Sequence, residues 1–168
     1  AVLSSDVLLA NYRPGVAARL GMDYATLSAL NPRLIYCENT AFGSKGPYAD
    51  RPGFDLVSQA MTGIMSFEGA GGLPHPIITT SPTDLSAGMF MAYSVAAALY
   101  HRELTGKGQY IETSLFGAGI FVQYRPMFAI EKFDRANREE MLRDIREARA
   151  QGNRADEATA ERRSRGDQ

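Results

Sequence analysis

The sequence predicts an α/β fold, a parallel sheet flanked by helices. Two observations carry this. Short apolar runs of strand length, within "DVLLAN" and "RLIYCENTAF", lack strict polar alternation, as strands covered on both faces do. Between and beyond them lie segments with apolar residues at helical spacing, joined by short Gly- and Pro-bearing connections. Strand, helix, strand with short connections is the right-handed crossover unit of an α/β layer.

Each element follows in order. "DVLLAN" is a buried strand of four to six residues, stopped by Asn11 and the turn signal "RPG". Leu20, Tyr24, Leu27 and Leu30 space a helix that Asn31-Pro32 ends. "RLIYCENTAF" is the second strand and runs into the Gly-rich loop "GSKGP". Phe54, Val57, Met61 and Ile64 predict the next helix, with Asp55 in its first turn, where negative charge suits the helix dipole. "GAGGLPHPIITTSPT" reads as a loop. From Asp84 a long helix runs to about Leu104, with Gly106 as its C-terminal cap. "GQYIETSLF" alternates Tyr110, Glu112 and Ser114 against Ile111, Thr113 and Leu115, a strand pattern. "GAGIFVQYRPMFAI" begins an apolar helix that Pro126 bends or restarts.

Composition changes after residue 130. Residues 131–168 hold 20 charged side chains in 38 positions, ten of each sign. "REEMLRDIREARAQ" suits a solvated helix, with Glu139 and Arg143 attracting and Glu140 and Asp144 repelling one another. "GNRADEATAERRSRGDQ" has almost nothing to bury and is expected to be disordered. Two regions are therefore expected, a globular 1–130 and a charged tail, 131–168.

Several function classes are set aside. A net charge of −1 gives no electrostatic footprint for nucleic acid. The lone Cys37 forms no intramolecular disulfide and fits a reducing compartment. The longest apolar stretch, Ala87 to Tyr100, is shorter than the ~20 residues a membrane helix needs. No secretory signal is visible, so a soluble, cytoplasmic protein is expected. His75 and His101 lie far apart without ligand-spaced partners, so no metal is expected; His101 suits a helix C-terminus. There is no G-x-S-x-G elbow or P-loop, and "GAGG" lacks the strand and third glycine of a dinucleotide fingerprint. The chain opens at Ala1 and enters structure almost at once, from which residues upstream are expected.

Asp84, in "SPTDLSAG", poses the central question. Asp before an apolar run is an ordinary helix cap, yet a carboxylate at a helix start is also a well-placed nucleophile. Asn11 lies at a strand's C-terminal end, where ligands gather in α/β sheets, or is simply a turn residue. Tyr12 offers a ring, and Arg13 and Arg19 offer phosphate donors or plain surface charge.

Three long strings, "DVLLANYRPGVAARLGMDYATLSALNPRLIYCENTAFG", "GPYADRPGFDLVSQAMTG" and "TDLSAGMFMAYSVAAALYHRELTGKGQYIETSL", and the spacing among them resemble the family III CoA-transferases. This group includes formyl-CoA transferase and carnitine CoA-transferase (CaiB/BaiF-like). The likeness covers residues 2 to about 125 and stops short of the tail, which reads as an unrelated extension. The resemblance implies a partial Rossmann-like parallel sheet, as in the large domain of that family. It implies no permanently bound cofactor, with coenzyme A or acyl-CoA as substrate, a carboxylic acid as second substrate, and a homodimer of interlocked chains. Neither nucleic acid nor membrane is an expected partner. Family members are much longer, so segments at both ends are expected to be missing.

By the same resemblance Asp84 is the catalytic carboxylate, which attacks the thioester, expels CoA thiolate and forms a mixed anhydride. The anhydride keeps the acyl group activated, and helix N–H groups are expected to steady the charge. Asn11, Tyr12, Arg13, Arg19 and the "RPGF" residues Arg51, Pro52, Gly53 and Phe54 are the implied CoA-binding set. The related α-methylacyl-CoA racemases carry a histidine where this chain has Phe54, and phenylalanine moves no proton. Transfer of CoA is thus the expected function. A catalytically incompetent CoA-binding or interaction remnant is the alternative, and racemisation a lesser one.

Overall fold

The central strand sets the architecture. In a computed structural model that describes residues 2–65, 75–123 and 131–153, the strands are β1 (Val7–Ala10), β2 (Ile35–Thr40) and β3 (Tyr110–Ser114). They form a parallel sheet of order β1-β2-β3. The helices are α1 (Val16–Arg19), α2 (Tyr24–Leu30), α3 (Asp55–Thr62), α4 (Pro82–Thr105), α5 (Leu115–Val122) and α6 (Glu131–Ala150). The expected α/β sheet with flanking helices is thus observed. Ile35, Tyr36 and Cys37 of β2 are buried, as its unbroken apolar run requires.

Two apolar clusters hold the layers. Ala10, Leu27, Leu34 and Tyr36 pack with Val2, Leu8, Met22 and Tyr24, joining α2 to the sheet. Ala87, Leu115 and Ala118 pack with Phe90 between α4 and α5. Gly119 of α5 permits a close approach to α3, since a Cβ on it would lie 2.8 Å from Thr62 Cγ2. Buried Arg102 ties the end of α4 to the sheet. Its guanidinium pairs with Asp6 at 3.0 Å and donates to the Arg33 carbonyl at 3.3 Å.

The structure differs from the sequence expectation at several elements. The single helix expected between β1 and β2 is two. Gly21, at φ 64°, closes α1, with Met22 N–H reaching back to the Ala17 carbonyl. Asp23 then caps α2 by accepting from Thr26 N at 3.1 Å, a bond that lowers its carboxyl below the ordinary aspartate value. Leu20 and Leu30 consequently face solvent, and Leu27 carries the burial.

The expected apolar face of α3 holds only in part, with Ile64 buried and Val57 half-buried. Asp55, Ser58, Gln59 and Thr62 are its buried residues, whereas Phe54, Leu56 and Met61 are exposed. Asp55 and Gln59 occupy the inner face because they bond across it to the backbone of Thr83 and Ile77, while Thr62 Oγ1 donates to the Ser58 carbonyl of its own helix. Helix α4 starts at Pro82, two residues before Asp84, and α5 starts straight from β3 with Ser114 as its cap. In α6 Glu139 pairs with Arg135 at 3.0 Å. Pro126, residues 66–74 of the expected helix and loop, and the stretch 154–168 expected to be disordered lie outside the described residues.

Candidate active site

The C-terminal ends of β1 and β2 and the N-terminus of α4 meet, and Asp84 stands at that junction. A parallel sheet gathers ligand-facing groups at its strands' C-terminal ends. Two clefts open there. The larger, about 440 Å3, is walled by Leu9, Ala10, Gly88 and Met91. The smaller, about 210 Å3, is walled by Tyr12, Arg13, Thr40 and the Arg51–Phe54 loop. Asn11, Asn39 and Asp84 line both.

Of the residues singled out in the sequence, Asn11, Tyr12, Arg13, Arg51, Pro52, Gly53, Phe54 and Asp84 are brought together around the smaller cleft. Arg19 is not among its walls. It ends α1 and is exposed. The Arg51 guanidinium lies over the Tyr48 ring, 4.6 Å from its centroid, which fixes the loop's cationic end. Gly53 lets that loop press on the end of β2, since a Cβ there would come within 2.7 Å of Ala41 Cβ.

Asp55, and not Asp84, caps the N-terminus of α4. Its carboxylate, 6% exposed, reaches across to the first turn of α4. Oδ1 accepts from Thr83 N at 2.8 Å, Thr83 Oγ1 at 2.6 Å and Asp84 N at 3.3 Å. Leu85 N–H bonds the Ser81 carbonyl, and Pro82 has no N–H. The donors that a helix N-terminus leaves orphaned are therefore satisfied without the Asp84 side chain. That side chain is exposed and has no hydrogen bond to a described residue. Desolvation by the surrounding protein, and secondarily the charge of Asp55, raise its carboxyl above the ordinary aspartate value.

The same geometry corrects one expectation. The N–H groups of Thr83 and Asp84 are engaged by Asp55, so they are not free to steady an anion on a substrate. Gln59 supports the arrangement. Its Nε2 donates to Asp55 Oδ2 and to the Ile77 carbonyl, and its Oε1 accepts from Ile77 N at 2.8 Å. Asp55 drew notice in the sequence only as a first-turn acid of its own helix. Gln59 and Asn39 drew none.

The whole chain can be placed among known proteins. Residues 2–159 match the family described as CoA-transferase family III. The chain belongs to this family. An acetyl-CoA:oxalate CoA-transferase of Acetobacter aceti is 47% identical, over 75% of this chain and 33% of that protein. The beta subunit of a succinyl-CoA–L-malate CoA-transferase of Chloroflexus aurantiacus is 41% identical, over 68% of this chain and 29% of that protein. Among solved structures, a CAIB/BAIF family protein from Brucella suis superposes with a TM-score of 0.68 and 39% identity, covering 72% of this chain and 32% of that one. The chain spans about a third of the length of the curated relatives it matches.

The CoA-transferase family III match runs past residue 130 and through α6. The relatives and the Brucella suis structure align over 68–75% of the chain, a shorter span than the family match. A helix whose side chains mostly face solvent accepts charge freely, so a jump in charge need not mark a domain boundary.

Proposed function

We propose that this chain carries the nucleophile of an enzyme that transfers coenzyme A from an acyl-CoA to a carboxylic acid. The Asp84 carboxylate attacks the thioester carbonyl, and the C–S bond breaks to release CoA thiolate and leave an acyl-aspartyl anhydride. Thiolate then attacks the aspartyl carbonyl, releasing the first acid and leaving an aspartyl-CoA thioester. An incoming carboxylate repeats the sequence in reverse and departs as the new acyl-CoA. No proton is moved at any step, so an acid–base pair is not needed. A carboxylate nucleophile keeps the acyl group activated throughout, which a hydroxyl would not.

One observation carries this reading: a carboxylate, relieved of capping by Asp55, stands without a hydrogen bond to any described residue where two clefts meet. Tyr12, Arg13 and Arg51 suit the smaller cleft to the adenine and phosphates of CoA, and Asn11 with the Pro52–Phe54 loop suits it to the pantetheine arm. Arg19 is left as a peripheral cation. Phe54 at the rim cannot exchange a proton, which favours transfer over racemisation. The substrates named for the relatives, acetyl-CoA with oxalate and succinyl-CoA with malate, suggest small acids as donor and acceptor.

Among the described residues no helix is long and apolar enough to cross a membrane. A row of exposed apolar side chains on α4, Leu85, Met89, Tyr93, Tyr100 and Leu104, suits a homo-oligomer.

Isotope exchange tests the reading without knowledge of the natural acceptor. Acetyl-CoA or succinyl-CoA is incubated with its own labelled acid. Label enters the thioester pool with the wild-type chain and not with Asp84→Asn. Coenzyme A binding with no exchange of either label would favour the incompetent remnant instead.

A further inference from the structure

The clefts share a third polar residue besides Asp84 and Asn11. Asn39 is the last but one residue of β2, and alternation along the strand places it with Ile35 and Cys37, opposite Tyr36 and Glu38. It pairs in register with Thr113 of β3. The Thr113 hydroxyl donates to Asn39 Oδ1 at 3.0 Å. This bond turns the carbonyl end of the carboxamide toward β3, although the same hydroxyl also lies 3.4 Å from the Glu38 carbonyl. The Nδ2 end, with two N–H groups, has no partner among the described residues.

Attack on a thioester moves the carbonyl π pair onto oxygen, and a preorganised donor must meet it. The helix N–H groups nearest Asp84 are already taken by Asp55. We propose that Asn39 is a catalytic residue of this site, its Nδ2 N–H donating to the acyl carbonyl oxygen as Asp84 adds to the carbonyl carbon. The Asp84–carbon bond forms, the oxygen gains the electron pair against Asn39, and the pair returns as the carbon–sulfur bond breaks. Asn39 neither gains nor loses a proton. Asn11 is a different case: it lies just beyond β1, and among the described residues no hydrogen bond to its side chain fixes its amide. The proposal rests on acyl-CoA being the ligand of these clefts.

Two ligands of equal size separate a carbonyl contact from general binding: acetyl-CoA, and S-ethyl-CoA, a thioether that lacks the carbonyl. Their affinities are measured by calorimetry in an Asp84→Asn background, where nothing turns over. Asn39→Ala is expected to weaken acetyl-CoA about 3–10-fold and S-ethyl-CoA less than about 2-fold. Asn39→Asp keeps the size and the Thr113 contact but loses the donor, and is expected to show the same selectivity. Equal weakening of both ligands, or no weakening of acetyl-CoA by either variant, would overturn the assignment. The carbonyl-selective loss in a chain that exchanges no label would leave this inference standing and sink the transfer reading. Label exchange together with non-selective loss would do the reverse.

Discussion

Asp55 accepts hydrogen bonds from both the backbone N–H and the hydroxyl of Thr83, and so caps the helix whose next residue is Asp84. The cap comes from another helix, and it leaves the carboxylate at the mouth of the clefts free. Replacing Asp55 by Ala strands two N–H groups and a hydroxyl in a buried setting. The expected loss is roughly 2–3 kcal/mol, with Asp55→Asn costing less because it keeps an acceptor. Urea denaturation of the two variants checks this order.

The raised carboxyl of Asp84 has a signed consequence for stability. When the folded-state value lies above the unfolded one, the native chain holds the proton more tightly between the two. Stability then falls as pH rises through that interval. The ionised side chain is a burden at neutral pH, and Asp84→Asn is expected to be the more stable chain there. Its advantage should vanish as the medium is acidified below the ordinary aspartate value, where both states of the wild type are protonated. Melting temperatures of the pair across that range check the sign. An Asn variant less stable at neutral pH would contradict it.

Much of the fold was legible because it is written in local signals. The apolar runs of β1 and β2, the alternation of β3 and Gly106 behind α4 depend on neighbours within a few residues. The split between α1 and α2 was missed, although Gly21 and Asp23 signal it, because the leucine spacing ran smoothly across them. The buried face of α3 was legible only in part. Hydrophobic periodicity selects Phe54, Val57, Met61 and Ile64, of which Phe54 and Met61 are exposed, while the polar residues Asp55 and Gln59 face inward and bond to Thr83 and Ile77, residues far along the chain. Periodicity cannot see such partners. For the same reason Asp84 reads locally as a cap, because Asp55 comes from another helix, and Asn39 carries no local signal, because its partner Thr113 comes from another strand.

Arg102 offers a test of long-range tethering. Its side chain is 8% exposed, and its partner Asp6 is 76% exposed. Asp6→Ala changes a surface residue but leaves a buried cation without its counter-charge, so it is expected to destabilise by about 1–3 kcal/mol. Arg102→Met loses the donors to the Arg33 and Asp6 carbonyls as well. In the double variant the two losses should fall short of their sum, because both remove one ion pair. Additive losses in a double-mutant cycle would deny the tether.

Trapping the acyl-enzyme measures the central claim most directly. The wild-type chain is incubated with acyl-CoA, quenched with hydroxylamine and digested, and the peptide containing residues 82–102 is examined by mass spectrometry. An anhydride or thioester at Asp84 is captured as an aspartyl hydroxamate, absent when acyl-CoA is omitted and absent in Asp84→Asn. Hydroxamate at a different carboxylate, or none at Asp84 under conditions where CoA is exchanged between acids, would contradict the account.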